Sequence, residues 1–317
     1  MDDLAILIPC YNEEVTIEKV IRDSRNVFPE GRIYVYDNNS TDQTASLAEK
    51  AGAIVKKECI QGKGAVVRSM FRDIDAKCYL LVDGDDTYSL ENAKYMVDEV
   101  LSGNADMVIG DRLSTTYFES NTRRFHNFGN RLVRDTINRL FHCDIKDIMT
   151  GFRTVSFEFA KTFPVLTNGF EIETEMTIHA VYNHFRIKNT EVNYRNRPEG
   201  STSKLNTFSD GSKVIKTIIS LYKNYKPLHF FGSISLILAL LSICYFIPVF
   251  QEYLQTGLVK RFPTLIVCGF VMMASMCSLF SGLILSNEER NARKSFELYR
   301  HVIRFYEKDI SHDQKSA

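Results

Sequence analysis

An excess of charge of either sign is the first thing this 317-residue sequence lacks: 39 lysines and arginines face 39 aspartates and glutamates. No global field therefore argues for a nucleic-acid partner. Cysteine patterning is missing as well. Cys10, Cys59, Cys78, Cys143, Cys244, Cys268 and Cys277 are scattered, with no CxxC and no even-numbered framework. They read as small buried hydrophobes of a reducing compartment, or as membrane residues, and not as a disulfide scaffold. No His-rich or HExxH zinc pattern appears. No GxGxxG follows the first apolar run, which argues against a dinucleotide dehydrogenase, and Gly62-Lys63-Gly64 lacks the GxxxxGK[ST] spacing of a P-loop. The N-terminus carries two aspartates and then a short apolar run, so no secretory signal peptide is expected.

Long uncharged runs, by contrast, are present near the C-terminus. Residues 228–250 hold His229 as the one ionisable side chain of note, and residues 262–286 carry no charge. At 1.5 Å per residue each run reaches about 35 Å, enough for a bilayer core of about 30 Å. Two buried core helices would be the bland alternative, but neither run has a polar face. The pair reads as a membrane hairpin over 228–286. Lys213, Lys216, Lys223 and Lys226 precede it, Arg290, Arg293 and Lys294 follow it, and the connecting loop holds Lys260 and Arg261. The positive-inside rule then places both chain ends in the cytoplasm of an integral membrane protein. Ahead of the hairpin, Val214, Ile215, Ile218, Ile219, Tyr222 and Tyr225 fall at helical spacing with lysines between them. An interfacial helix over 208–227 is expected, the alternative being an ordinary amphipathic helix on the preceding domain. The tail, 287–317, is amphipathic around Phe296, Tyr299, Val302, Ile303 and Tyr306. Three roles stay open for it: packing on the preceding domain, lying on the membrane, or self-association into a homo-oligomer.

Residues 1–207 alternate between strand and helix patterns. An apolar strand at 4–8 is closed by Pro9-Cys10-Tyr11-Asn12-Glu13-Glu14, and a helix follows with Val15, Ile17, Val20 and Ile21 on one side. A second strand at 33–36 ends in Asp37-Asn38-Asn39-Ser40-Thr41-Asp42, where Ser40 with Gln43 has the spacing of a capping box. A short third strand at 53–55 precedes Gly62-Lys63-Gly64 and another helix. Lys63, at that helix start, is either simply solvated or faces phosphate. Further on come a helix at 90–101 and a strand at 107–109. This alternation argues for an α/β fold with a doubly wound, mostly parallel, Rossmann-like sheet. Its most telling stretch is Tyr79-Leu80-Leu81-Val82-Asp83-Gly84-Asp85-Asp86-Thr87-Tyr88. Open α/β sheets place ligands at the carboxyl ends of their strands. Carboxylates crowded there repel unless a cation sits among them, and their oxygens suit Mg²⁺ or Mn²⁺. An acidic surface turn is the alternative. Asp86 is expected to face solvent or cap the next turn.

These motifs resemble family 2 glycosyltransferases of the GT-A fold. Pro9-Cys10-Tyr11-Asn12-Glu13 is similar to the family's PxYNE opening, and Asp37-Asn38-Asn39-Ser40-Thr41-Asp42 to its DDGSTD segment. Asp83-Gly84-Asp85 stands in the place of its DxD motif. Asp147-Ile148-Met149-Thr150-Gly151-Phe152-Arg153 resembles the DxxxGF[RK] signature of the dolichol-phosphate mannose synthase branch, and Tyr194-Arg195-Asn196-Arg197 with Ser203-Lys204 resembles its closing basic segment. The likeness spans about residues 4 to 212 in motif order. It implies a nucleotide-sugar pocket of Pro9, Tyr11, Asn12, Glu13, Asp37, Lys63, Asp83 and Gly84, with the metal on Asp85 first and Asp83 second. It implies an acceptor-phosphate cradle of Arg112, Arg123, Arg195 and Lys204, with Arg124 and Arg197 as further basic candidates. Catalytic roles would fall to Asp85, Asp147 and Arg195. Asn38 and Asn39 depart from the family's Asp and Gly, and Thr87 from the Gln that some relatives carry beside the metal.

The activity so implied is inverting, metal-dependent transfer of one hexose from a nucleotide sugar to a polyprenyl phosphate. A nucleoside diphosphate leaves with growing negative charge, which a divalent cation and basic side chains stabilise. Asp147, the family's usual general base, has less to do here, since a phosphate monoester is largely ionised at neutral pH. Glu173 and Glu175, at a helix start, are further pocket candidates that do not share a helix face. UDP-glucose, UDP-N-acetylhexosamine and GDP-mannose all stay open as donors. A processive polysaccharide synthase is a rival, opposed by the absence of tryptophan and hence of QxxRW. A non-catalytic nucleotide-sugar-binding scaffold is another, opposed by the joint presence of Asp83, Asp85, Asp147 and the basic segment.

Overall fold

The computed structural model describes residues 1–114, 124–167, 171–195, 197–198 and 219–316. Seven strands form one sheet in the order β3-β2-β1-β4-β6-β5-β7. They are β1 (Asp2–Cys10), β2 (Arg32–Asp37), β3 (Ile54–Lys57), β4 (Ala76–Leu81), β5 (Met107–Asp111), β6 (Arg153–Ser156) and β7 (Ile187–Glu191). Neighbours pair in parallel except that β6 runs antiparallel to both β4 and β5. This is the expected mostly parallel α/β sheet. Strand β1, inside the sheet between β2 and β4, carries a continuous apolar run, Leu4 to Ile8, buried against layers on both faces.

The helices over the sheet are α1 (Ile17–Val27), α2 (Thr44–Lys50), α3 (Lys63–Asp73), α4 (Ala93–Leu101), α5 (Arg124–Phe141), α6 (Phe157–Thr162) and α7 (Ile172–Tyr182). In α1 the buried residues Ile17, Val20, Ile21 and Ser24 recur at helical spacing, which is why this segment lies on the sheet. Strand order runs outward from β1 in both directions, through β2 to β3 and across to β4. The strand order therefore reverses between β1 and β4, and open α/β sheets bind ligands in the crevice beyond the carboxyl ends of their strands at such a point.

Some local expectations are corrected. The third strand lies at Ile54–Lys57, not 53–55, and α4 starts at Ala93 rather than 90. The Ser40 capping box does not form, because Ser40 Oγ accepts instead from the Asn12 amide at 2.9 Å. Asp42 Oδ1 takes over near the helix start, accepting from the Thr44 amide at 2.9 Å and the Thr44 hydroxyl at 2.5 Å.

Two compact units make up the chain, one of residues 1–210 with 299–317, the other of residues 211–298. Of the interfacial segment expected at 208–227, residues 208–218 lie outside the described residues. Helix α8 (Pro227–Thr256) starts with proline, whose missing amide costs nothing at that position, and closes on Gly257 at φ 66°. Helix α9 (Phe262–Ser316) runs through both the second apolar run and the tail. Charge begins near 287, but no glycine or proline follows Gly282, so nothing in the sequence ends the helix. Both helices are long and apolar enough to cross a membrane. In their unit they meet through small polar residues. Ser275 Oγ donates to the Ser235 carbonyl at 2.8 Å, and Ser242 Oγ to the Cys268 carbonyl at 2.8 Å. A Cβ on Gly282 would stand 3.0 Å from Phe231 Cβ, a tight contact that the glycine relieves where the two helices approach closely.

The end of α9 belongs to the first unit and packs on α6 and α7. Arg300 and Arg304 both pair with the buried Glu158, at 2.5 and 2.9 Å. Tyr306 stacks on Phe157, and the Arg300 guanidinium lies 4.7 Å from the centre of the Phe185 ring. Of the three roles left open for the tail, packing is the one these residues adopt.

His179 of α7 sits beneath this contact among Phe159, Phe163 and Phe185. Burial, helped by the Arg300 charge, lowers its pKa to about 3. The folded value lies below the ordinary 6.5, so the neutral imidazole contributes stability that is fully present above about pH 6.5. That stability is lost as pH falls towards 3, at about 1.4 kcal/mol per pH unit. His179→Phe should flatten this acid-side loss in unfolding midpoints measured from pH 7 to pH 4.

Candidate active site

Strand β4 delivers its carboxylates into the crevice by a tight turn. Gly84 is required there, since a Cβ would come within 2.8 Å of Cys10 Sγ at the end of β1. The Gly84 carbonyl accepts from Thr16 Oγ1 at 2.6 Å, which fixes the turn to the start of α1. Asp85 is buried. Its Oδ1 accepts from Thr87 Oγ1 at 2.6 Å, and its Oδ2 lies 2.6 Å from an Arg197 guanidinium nitrogen. Burial, and then the nearby Asp83 charge, push the Asp85 carboxyl above the ordinary range, against the opposing pull of Arg197. Asp86, expected to face solvent or cap the next turn, does neither among the described residues. It adopts φ 55° and pairs with Lys19 at 2.5 Å, its side chain 12% exposed. Lys19 supplies its partner.

Asp83 has its own cation. Lys63, the first residue of α3, places Nζ 2.5 Å from Asp83 Oδ1 and 2.7 Å from Glu173 Oε1 on α7. Burial alone would depress its pKa, but the two carboxylates outweigh burial and hold it above the ordinary lysine range. Asn38, just after β2, braces the loop that leads into this lysine. Its Oδ1 accepts from the Gly62 amide at 2.7 Å, and its Nδ2 donates to the carbonyls of Glu58 and Ile60. Gly151 forms the wall beside the pair. A Cβ there would stand 2.5 Å from Asp83 Oδ2 and 2.6 Å from Lys63 Nζ.

The segment from Asp147 to Arg153 is locked from within. Asp147, 1% exposed, pairs with Arg112 at 2.8 Å, while Arg112 also donates to the Met149 carbonyl at 3.1 Å. Arg153 is fully buried and donates to the carbonyls of Thr150 and Ile148 and to Thr177 Oγ1. Burial lowers its pKa to about 10. It acts as a strut under the turn that carries Asp147 and Gly151.

The loops after β1 and β2 interlock at the other side of the crevice. Asn12, at φ 53°, accepts from the Thr41 amide at 2.8 Å, and the Glu13 amide donates to Thr44 Oγ1 at 2.8 Å. Glu13 and Asp37 are buried, and Tyr11 is 36% exposed beside the half-buried Pro9. Asn39 stands at φ 63°, the left-handed conformation that the glycine of the related motif would supply. The basic segment is anchored by an isolated antiparallel bridge between Tyr88 and Tyr194, and the Arg195 amide donates to the Thr87 carbonyl at 2.8 Å. Arg195 then points an exposed side chain outward, whereas Arg197 reaches the acidic turn. Arg123 and Lys204 lie outside the described residues. Glu173 joins the site, and Glu175 does not: its carboxylate accepts from the Leu166 amide and Thr167 Oγ1.

The sequence of residues 5–163 matches the family model of glycosyl transferase family 2. Glycosyltransferase AglJ of Haloferax volcanii is 36% identical over 236 residues, covering 74% of this chain and 76% of that protein. The dolichyl-phosphate hexose transferase of the same organism is 28% identical over 220 residues, covering 69% of this chain and 94% of its own. A glucosyl-3-phosphoglycerate synthase from Mycobacterium tuberculosis, solved with Mn²⁺, UDP-glucose and glycerol 3-phosphate, shares the fold. Its TM-score is 0.51 at 19% identity, over 71% of this chain and 80% of that one. The chain belongs to glycosyl transferase family 2, and it is a glycosyltransferase.

Gly151→Ala tests the wall of the site. The new methyl must displace Asp83 and Lys63, so overpacking should cost about 1–3 kcal/mol in denaturant unfolding. An unchanged midpoint would mean that the pair moves aside freely.

Proposed function

We propose that this glycosyltransferase moves one hexose from a nucleotide sugar to a polyprenyl phosphate at the cytoplasmic face of a membrane, with inversion. The observation that carries the reading is the meeting of Asp83 and Asp85 with Lys63 and Arg197 at the switch point of the sheet. Paired carboxylates beside basic groups suit a diphosphate bridged by a divalent cation. The likeness to a dolichyl-phosphate hexose transferase supports a lipid phosphate acceptor.

The residues fit Mg²⁺ or Mn²⁺. Among the described residues no cluster of three or more His, Cys, Asp or Glu side chains is built to cage a metal. Two aspartates without a third protein ligand match a cation that keeps water and takes substrate phosphate oxygens. Asp85 would hold it first and Asp83 second, and when bound it neutralises the charge that grows on the leaving diphosphate. Tyr11, Asn12, Glu13 and Asp37 bind the nucleoside, on a platform that Pro9 and Gly84 shape. Arg112, held by Asp147, and Arg197, held by Asp85, supply guanidinium groups for phosphate contact, which lysine would not reproduce. Asp147 then orients Arg112 rather than drawing a proton from an acceptor that is already ionised. Arg123, Arg195 and Lys204 complete the acceptor side.

In this reading residues 1–207 form the catalytic domain, 208–227 an interfacial helix, 228–286 the membrane hairpin and 287–317 a cytoplasmic tail. The outward-facing Leu236, Ile237, Phe270 and Ile284, each more than half exposed, gain a covering of lipid.

The test is a radiolabelled panel of UDP- and GDP-sugars with undecaprenyl and dolichyl phosphates on membranes containing the protein. A chloroform-soluble, acid-labile product should form only with Mg²⁺ or Mn²⁺, and Asp85→Ala should lower it at least about 100-fold. Full activity of Asp85→Ala would overturn the metal assignment. Nucleotide binding with no turnover across the panel would leave the non-catalytic scaffold.

A further inference from the structure

The Lys63 contacts contain one more residue than a nucleotide site needs. An ammonium that served only to neutralise Asp83 in the free protein would require a single carboxylate. Here Glu173, from a different helix, takes a second hydrogen of the same group at 2.7 Å, and its own side chain is 7% exposed. The three groups together carry one negative charge, and Gly151 walls off one side. A divalent cation arriving at Asp83 would place two positive charges beside the Lys63 ammonium. The Asp83–Lys63 contact would then turn from attractive partner sharing to competition between cations for one carboxylate. A lysine with no other anchor would be expelled along its flexible stem.

We propose that Glu173 is a positioning residue: it retains Lys63 in the crevice when a divalent cation takes Asp83. The ammonium thereby changes from counterion of the free enzyme to ligand of the donor's diphosphate. The inference rests on the metal-dependent reading above. An ammonium has three donors, so one stays on Glu173 while the others are released for phosphate oxygens. Lys63 suits the switch because it is the first residue of α3, an 11-residue helix whose amino end favours anions. The preceding residue, Gly62, donates its amide to Asn38 Oδ1, which braces the backbone at the helix start.

The experiment uses the full chain in detergent micelles. Binding of Mn²⁺ alone is followed by electron paramagnetic resonance, and binding of UDP or GDP with Mn²⁺ by calorimetry. Lys63→Met removes the competitor, so Mn²⁺ alone should bind severalfold tighter, while the nucleotide with Mn²⁺ binds at least tenfold weaker. The isosteric Glu173→Gln leaves Lys63 to Asp83 alone, so it should weaken both. In the double variant, Mn²⁺ affinity should recover above that of Glu173→Gln. Lys63→Arg keeps the charge and should stay near wild type for Mn²⁺, which separates charge competition from misfolding. Unchanged or weaker Mn²⁺ binding in Lys63→Met, or unchanged nucleotide affinity in Glu173→Gln, overturns the proposal. Absence of Mn²⁺ binding to the wild type, or Mn²⁺ binding unaffected by Asp85→Ala, instead overturns the metal-dependent reading on which it rests.

Discussion

Two carboxylates on one turn, Asp83 and Asp85, repel each other where burial has already weakened their hydration, and much of the surrounding structure answers that repulsion. Gly84 lets the turn approach β1, and Thr16 holds its carbonyl. Thr87 binds Asp85 from below, while Lys63 and Arg197 bring one positive charge to each carboxylate. The raised pKa of Asp85 records what is left over after these contacts: burial and Asp83 outweigh the arginine. A protein selected for stability alone would not keep such a turn, and polar groups held at a net cost are characteristic of sites shaped by ligands.

How much of this was legible in the sequence follows from how local each cause is. The strands β1, β2, β4 and β5 announce themselves as short apolar runs, and three of them end in the polar clusters that line the crevice. Asn39 stands where the related motif carries glycine, and its left-handed conformation is a local property that asparagine tolerates. Strand β6 could not be found in this way. It has four residues and begins with an arginine, whose complete burial depends on carbonyls of Ile148 and Thr150 and on Thr177 from α7. Strand β7, Ile-Lys-Asn-Thr-Glu, lies at the sheet edge and carries no periodic apolar signal.

The same distinction separates Arg195 from Arg197. Both stand in one basic segment, and neither charge nor spacing favours one over the other. What selects Arg197 is the register of the bridge between Tyr88 and Tyr194, which ties the Arg195 backbone to Thr87 and leaves its side chain outside. Glu173 and Glu175 were separable in principle, since they do not share a helix face. Which of them entered the site depended on the loop at 166–167, whose amides claim Glu175. Long-range hydrogen bonding made these choices, and a single sequence carries almost no trace of it.

The difference between the two cations of the site is itself instructive. Arg197 offers a planar fork on a segment tied to the acidic turn, a geometry suited to holding carboxylate or phosphate by two parallel bonds. Lys63 offers a compact charge on a flexible stem, rooted at the start of a helix and shared between two carboxylates. If both groups were arginines, the turn would be neutralised just as well, but neither cation would readily exchange one oxygen for another. A lysine at Asp83 and an arginine at Asp85 combine a movable charge with a directional one. That combination is what a crevice needs if its carboxylates must be compensated before a substrate arrives and given up when it does.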